Sequence, residues 1–420
     1  MQFTDFKLSK ELIKAIHSCN YSEPTQIQQK AIEHILKKRD IQAIAPTGTG
    51  KTAAFCLPII NNILTQKYQD TNLKALILVP TKELALQIYE NIQQYTKYTS
   101  IKSEVIYGGA KMSAQITKLQ NHIDILVATT GRLSEHLKQK TISLRNLEVL
   151  VLDEADTMLD MGFINEIDLV LSKIEYKPQI LLFSATLGQS IKKLSDKILN
   201  KAVCINVDKE QKATHKINQG VYYISKIQKN ELLSFIIARA YKDRFIVFTR
   251  TKQGAKEVYQ YLKDYDISVI CLHGDLTQGA RLKAIKEFKQ NKAQVLVATD
   301  ISARGIDIDS LEYVINYDIP NSVDDYIHRI GRTGRAGKTG NAISLISPSE
   351  IYSLKVIERK LNLKFKELYE DGFNSDLKDK IKSPKIVIKK EEKRKVKGAF
   401  GNKKKGPKKK KYATKRDRSV

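Results

Sequence analysis

Two short segments, far apart in the chain, constrain it more than anything else. The apolar run Ile41 to Ala45 leads into Ala45-Pro46-Thr47-Gly48-Thr49-Gly50-Lys51-Thr52, and the helix-like Ala53-Ala54-Phe55 follows. Glycines let the backbone turn tightly, so that its N–H groups converge on phosphate oxygens at a helix N-terminus. Lys51 can then neutralise β- and γ-phosphate charge, and the Thr52 hydroxyl can ligate Mg²⁺. Downstream, Leu147-Glu148-Val149-Leu150-Val151-Leu152 reads as a buried strand that delivers Asp153-Glu154-Ala155-Asp156 at its carboxyl end. In an open α/β sheet that edge is where ligands bind. One carboxylate there can hold Mg²⁺, and the next can orient or deprotonate water. Taken alone, the loop has Ala45 where the usual motif starts with Gly, and is compatible with an ordinary turn. An Asp-Glu pair after a strand is equally compatible with a helix cap. Together the two segments point to nucleoside triphosphate hydrolysis.

At 420 residues the chain suits two domains of ordinary size plus an extension. No apolar run is long enough to span a bilayer, and Met1-Gln2-Phe3-Thr4-Asp5 does not begin a secretory signal. Cys19, Cys56, Cys204 and Cys271 are scattered, in neither a disulfide framework nor a zinc pattern, so a reducing, intracellular setting is expected. The net charge is +26, and the stretch from Asp376 to Val420 contributes +15 of it, with twenty Lys/Arg against five Asp/Glu. Such a segment is too charged to fold alone, and the bland readings are a solubilising end or an import signal. The rest of the chain is also basic, which favours a polyanionic partner, nucleic acid above all.

The first half alternates strand-like runs with amphipathic stretches: Ala75 to Val79, a helix over Lys82 to Tyr95, Ile123 to Ala128, Val149 to Leu152, Ile180 to Phe183. That is the βαβ rhythm of a parallel sheet with helices on both faces. It lapses in the polar stretch Asp208 to Lys216, where the domain linker is placed. It then resumes with Phe245 to Phe248, Ser268 to Leu272, Gln294 to Ala298 and Tyr313 to Tyr317. The second α/β half has no phosphate loop, so it can serve a triphosphate only from across a cleft. His328-Arg329-Ile330-Gly331-Arg332-Thr333-Gly334-Arg335-Ala336-Gly337 offers forked cations for that purpose. The alternative is a basic loop that touches only solvent or nucleic-acid backbone.

With these residues in view, the chain resembles the DEAD-box RNA helicases from Phe3 to about residue 365, the tetrapeptide Asp153 to Asp156 being the family's namesake. The resemblance implies two tandem RecA-like parallel-sheet α/β domains, at residues 1–208 and 217–370, with a linker at 209–216 and a disordered basic tail at 371–420. It implies that Phe3 stacks on adenine and that Gln28, in Asn20-Tyr21-Ser22-Glu23-Pro24-Thr25-Gln26-Ile27-Gln28, selects ATP. Motif I, with Thr47, Gly48, Thr49, Gly50, Lys51 and Thr52, would hold the phosphates, and Thr52 and Asp153 the Mg²⁺. Catalysis would fall to Lys51, Glu154, Arg332 and Arg335, with Asp307 on the ribose. Motif III, Ser184-Ala185-Thr186, would couple nucleotide state to RNA through Asp156 and His328. RNA contacts would come from Pro80, Thr81 and Lys82, from Gly109, Gly131 and Arg132, and from Arg250, Arg281 and Thr299.

The chain departs from the family pattern at Asn20, where Gly is common, at Gln26 and Thr130, where Pro is common, at Pro46 for Gln, and at Lys82 for Arg. None removes a group that does chemistry. The resemblance is to bacterial members, the RhlE-like group in particular. It implies a cytoplasmic, monomeric ATPase that acts on RNA with little sequence preference, with ribosomal precursors or RNA-turnover machinery as partners. Rival readings are a DNA-translocating helicase, a non-hydrolysing RNA clamp and a protein-remodelling NTPase.

Overall fold

The computed structural model describes residues 1–46, 48–66, 73–207, 217–303, 306, 308, 311–334 and 339–373. Thr47, Asp307, Arg335, the linker at 209–216 and residues 374–420 lie outside the described residues, as do the side chains of Gln278 and Ile301.

Seven strands build the first sheet: β1 (Ile41–Ile44), β2 (Ala75–Val79), β3 (Ser103–Ile106), β4 (Ile125–Thr129), β5 (Val149–Leu152), β6 (Gln179–Ser184) and β7 (Val203–Asn206). Seven more build the second: β8 (Ile217–Tyr223), β9 (Phe245–Thr249), β10 (Val269–Leu272), β11 (Val295–Thr299), β12 (Tyr313–Asn316), β13 (Gly340–Ile346) and β14 (Lys366–Glu367). All pairings are parallel. The spatial orders are β3-β4-β2-β5-β6-β1-β7 and β10-β11-β9-β12-β13-β8-β14. Strand for strand, the second sheet repeats the first.

Parallel strands covered on both faces are apolar throughout, and alternate side chains serve opposite cores. In β2, Ala75, Ile77 and Val79 enter one core while Leu76 and Leu78 enter the other. In β9, Phe245 and Val247 part from Ile246 and Phe248 in the same way. Every strand of a parallel sheet ends on the same edge, and the loops at the carboxyl edge carry the motifs. The ends of β1, β5 and β6 deliver the phosphate loop, Asp153 to Asp156, and Ser184 to Thr186. The ends of β2, β3 and β4 deliver Pro80 to Lys82, the Tyr107–Ala110 turn, and Thr129 to Arg132.

The second sheet is closed at one edge by β14 on β8, where Leu368 packs over Gly220 so closely that an added Cβ would lie 2.6 Å from Leu368 Cδ1. Phe373 stands 5.8 Å from the Phe235 ring, so described packing continues past residue 370. The same half buries an ion pair. Lys229, 1% exposed, donates from Nζ to Glu350 Oε2 at 2.6 Å and to Tyr317 O at 2.5 Å. Burial raises the Glu350 carboxyl, but Lys229 and Ser347 outweigh it and hold the group below its ordinary value.

Removing one member of such a pair strands the other charge, at a cost of about 3–5 kcal/mol. Glu350→Leu is therefore expected to lower the urea midpoint of the second domain's unfolding in the full chain while the first domain's transition stays put. Coincident wild-type and variant curves would show that the pair does not hold this half together.

Candidate nucleotide site and nucleic-acid interface

The phosphate loop is anchored before it reaches any ligand. Ala45 N donates to Ser184 O at 3.0 Å, which ties the end of β1 to the end of β6. Thr49 Oγ1 donates to Pro46 O at 2.8 Å, and Lys51 Nζ to Ala45 O at 3.0 Å. Gly50 starts the helix Lys51–Leu64 with φ +91°, a left-handed conformation costly for any residue with a Cβ. Gln28 lies against it. Its Nε2 donates to Gly50 O at 3.1 Å, and its Oε1 accepts from Thr25 N at 2.9 Å, capping the helix Gln26–Leu36. A single amide therefore fastens the glutamine segment to the phosphate loop.

Thr25, Gln28, Gly50 and Lys51 line a cleft of about 420 Å³ together with Asp153, Glu154, Ile306 and Arg332. Glu154 has φ +53°, and its N–H donates to Asp153 Oδ1 at 3.0 Å. A non-glycine residue held there stores of order 1–3 kcal/mol, which the surrounding sheet must hold in place. Asp153 is 2% exposed, and burial, opposed by the Lys51 charge, pushes its carboxyl up to about 6. Thr52 and Asp153 offer this cleft a hydroxyl and a carboxylate, hard oxygen donors of the kind Mg²⁺ takes.

Asp156 faces away from the phosphates towards motif III. Its Oδ2 accepts from Ala185 N at 3.0 Å, Thr186 N at 2.9 Å and Thr186 Oγ1 at 3.1 Å, and it lies 3.5 Å from His328 Nε2. Burial raises this carboxyl, but His328 and Lys51 prevail and hold it well below the usual carboxylate range. Ser184 Oγ donates to Thr186 O at 2.7 Å, which closes the turn. Asp156, Ser184, Thr186 and His328 thus form one connected group across the two halves.

From the second half, Arg332 Nη1 donates to Ile306 O at 2.7 Å, and the residue is 7% exposed at the cleft. Its neighbour Arg329 does different work. It grips Asp300 at 2.5 and 2.7 Å, Asn316 Oδ1 at 3.1 Å and Asp318 O at 2.6 Å, and its guanidinium lies over the Phe248 ring. That arginine is structural, inside its own half.

The other named positions are placed as follows. Phe3 is 5% exposed, packed in the core with its ring 6.5 Å from that of Tyr21, and it is Tyr21 that lines the cleft. Pro80 and Thr81 are buried at the end of β2, and Thr81 Oγ1 caps the helix Lys82–Tyr95 by accepting from Leu84 N at 3.3 Å. Lys82 Nζ lies 4.2 Å from the Tyr107 ring centroid, an ammonium–π contact in place of an arginine fork. Gly109 has φ +84°, and a Cβ at Gly131 would meet nothing. Arg250 donates from Nη2 to Ile319 O at 3.0 Å and stays half-exposed, while Thr299 Oγ1 bonds Ser302 Oγ at 2.8 Å. Arg281 pairs with Glu83 at 2.7 Å and donates to Ser302 O at 2.8 Å, bridging the two halves.

Two departures from the family pattern have physical reasons. Asn20 has φ +57°, and Asn tolerates the left-handed region where Gly is common. Thr130, fully buried, donates its hydroxyl to Val79 O at 3.3 Å, so its extra polar group is satisfied. The sequence reading missed Tyr21, Gln87, Asn91 and Tyr95 as cleft residues. Leu84, Gln87, Asn91 and Tyr95 fall at helical spacing on one stripe of the helix Lys82–Tyr95, and the two polar members on that stripe were the available signal.

Gly50→Ala would place its Cβ 2.5 Å from Gln28 Nε2 and 3.0 Å from Thr25 Oγ1, besides straining φ. Its expected cost of about 1–2 kcal/mol in the loop should weaken ATP binding about five- to thirtyfold in a fluorescent-nucleotide titration. Wild-type affinity would mean that the loop re-seats without the Gln28 amide.

Comparison with known proteins bears on this geometry. Residues 25–194 match the family described as DEAD/DEAH box helicase, and residues 228–337 the helicase conserved C-terminal domain. The chain is 40% identical over 368 residues to the DEAD-box ATP-dependent RNA helicase RhpA of Helicobacter pylori, covering 88% of this chain and 74% of that protein. It is 38% identical over 375 residues to the DEAD-box ATP-dependent RNA helicase CshA of Bacillus subtilis, covering 89% and 75%. Among solved structures, Saccharomyces cerevisiae Dbp5 bound to RNA and ADP BeF3 superposes with a TM-score of 0.78 at 30% identity, over 87% of this chain and 95% of that one. The chain belongs to the DEAD-box ATP-dependent RNA helicases.

Proposed function

We propose that this chain hydrolyses ATP in the cleft between its two α/β halves and uses the closure of that cleft to open short RNA duplexes or remodel RNA–protein complexes. The observation that carries the reading is the convergence, in one cleft, of Lys51 and Glu154 from the first half with Arg332 from the second. Solved relatives bound to RNA and ADP BeF3 support it.

Lys51 balances charge on the β- and γ-phosphates, and Gln28, beside the phosphate loop, reads adenine. Glu154 orients the attacking water. Arg332, with Arg335, supplies cationic charge to the transition state from the other half, which water cannot do without reorganising. Mg²⁺, held through Thr52 and Asp153, neutralises triphosphate charge when bound. Asp307 completes the nucleotide contacts in this reading, with Phe3 packed behind Tyr21 at the cleft. The Asp156–Thr186–His328 group makes hydrolysis and domain closure interdependent, because the same carboxylate serves motif III and the second half. RNA runs along the ends of β2, β3 and β4 and those of β9 and β11, held by sugar and phosphate, so little sequence preference is expected. A strand bent to fit both halves cannot stay paired, and loss of the γ-phosphate reopens the cleft.

Residues 1–208 and 217–370 are proposed as the two working domains, and residues 371–420 as a basic arm on the RNA. The grouping with bacterial RhlE-like enzymes, the cytoplasmic setting and a monomeric state belong to the same proposal. No helix among the described residues is long and apolar enough to cross a membrane.

Steady-state ATP hydrolysis should rise strongly with single-stranded RNA and not with DNA of equal length. Equal stimulation by both would sink the substrate assignment, and indifference to both would undo the helicase reading. Glu154→Gln should bind ATP and RNA yet turn over at least a hundredfold more slowly, trapping a long-lived ternary complex. Rapid release of labelled RNA from that variant in the presence of ATP would count against Glu154 as the water-orienting group.

A further inference from the structure

The turn Tyr107–Ala110 lies between β3 and the helix Met112–Leu119, and three side chains hold its backbone. Gln115 Nε2 donates to Tyr107 O at 3.0 Å, Gly108 N donates to Thr129 Oγ1 at 3.3 Å, and Arg132 Nη1 donates to Ala110 O at 3.0 Å. Gly109, at the centre, is exposed, and among the described residues its N–H has no protein acceptor. It has no Cβ to keep a phosphate away.

Arg132 itself is committed inward. Its side chain is 9% exposed, and besides Ala110 O its guanidinium meets Glu135 Oε2 at 2.9 Å and Gln115 Oε1 at 3.4 Å. Gln115, 4% exposed, receives a second donor on the same oxygen, His136 Nε2 at 3.2 Å. The amide has one workable orientation: reversed, its NH₂ would face the guanidinium and its oxygen the Tyr107 carbonyl. His136 is fully buried, and its Nδ1 lies 2.7 Å from Thr141 Oγ1. Burial first, and the Arg132 charge second, push the imidazole below its ordinary value, so it is neutral. With the Gln115 oxygen as acceptor, Nε2 carries the proton towards it, and Nδ1 faces the Thr141 hydroxyl, which also lies 3.2 Å from His136 O.

We infer that Gln115 and His136 are positioning residues for the RNA strand, and that Arg132 acts with them by fixing the Tyr107–Ala110 turn, so that the backbone amide of Gly109, and not the Arg132 guanidinium, meets phosphate. The inference rests on the RNA-binding function proposed above. An amide suits this place, because one side chain must donate to a carbonyl and accept from two N–H donors. Backbone N–H groups are common phosphate donors in nucleic-acid interfaces, and they carry no counterion-releasing charge.

The test uses the full-length chain and single-stranded RNA, reading three quantities: the RNA concentration for half-maximal ATPase stimulation, the KM for ATP, and the slope of log affinity against log salt. Gln115→Met should raise the half-saturating RNA concentration about tenfold, the scale of one or two lost net hydrogen bonds. The KM for ATP and the salt slope should stay at wild-type values. Arg132→Gln should also raise it with the slope unchanged, and the double variant should be no worse than the weaker-binding single, since both act on one turn. The inference is overturned if Arg132→Gln flattens the slope by about 0.7, the signature of a lost phosphate contact on a single strand. It is overturned equally if Gln115→Met leaves RNA half-saturation unchanged. Should Gln115→Met fail to fold, Thr141→Val, which removes the His136 Nδ1 partner at the rim, is expected to raise half-saturation about threefold; no rise overturns the inference. A wild-type ATPase that ignores RNA would instead sink the underlying function, an outcome distinct from all of these.

Discussion

Parallel pairing ends all seven strands of a sheet on one edge, and that constraint determines where every functional group in this chain sits. β1, β6 and β5 are neighbours, so the phosphate loop, the motif III turn and the acidic tetrapeptide emerge side by side. β5, β2, β4 and β3 continue the row, so the RNA-facing segments lie along the same edge beyond them. One hydrogen bond, Ala45 N to Ser184 O, joins the loop that holds phosphate to the turn that Asp156 organises. A nucleotide and a nucleic-acid strand can therefore be sensed by a single rigid edge, without any long relay through the core. The second sheet has the same strand order, and its carboxyl edge supplies Arg250, Thr299 and the Tyr317–Ile319 segment that Lys229, Arg250 and Arg329 all clamp.

Much of this was legible from residues alone, for reasons that particular strands make plain. β2, β5, β9 and β11 are buried on both faces and read as unbroken apolar runs, so they could be found without a structure. β3 escaped because Ser103 and Glu104 dilute a four-residue strand at the sheet's edge. β13 escaped because it opens with Gly340 and Asn341. Gly340 is there for close approach: a Cβ would lie 2.0 Å from Thr333 Oγ1, inside the turn that leads from Arg332. β14 is too short to carry any pattern, and it exists only because β8 offers it an edge.

The site was legible in its composition but not in its division of labour. Motif matches gave Arg332 to the triphosphate and Arg132 and Arg281 to RNA, and left Arg329 without a role. Their surroundings separate them. Arg329 is fully engaged within its own half, and Arg332 borders the nucleotide cleft. Arg132 braces a turn, and Arg281 joins the halves through Glu83. Sequence cannot make this distinction, because what a guanidinium does depends on which carbonyls and carboxylates the fold has already placed around it. The same holds for Phe3 and Tyr21, whose rings stack on one another, Phe3 in the core and Tyr21 at the cleft.

Among the described residues, the side-chain pairs that join the halves are polar. Asp156 meets His328 as a buried carboxylate–imidazole contact and Glu83 meets Arg281 as a partly shielded ion pair, and among the described residues no apolar core cluster spans both halves. Pairs of this kind return little net energy, since the desolvation of two charges offsets most of their attraction. In the function proposed above, closure is then poised near balance. A ligand pair that binds the closed form about 5.5 kcal/mol more tightly than the open one suffices to move such an equilibrium from one extreme to the other. In that proposed function, triphosphate charge facing Lys51 and Arg332 supplies that bias, and its loss on hydrolysis removes it.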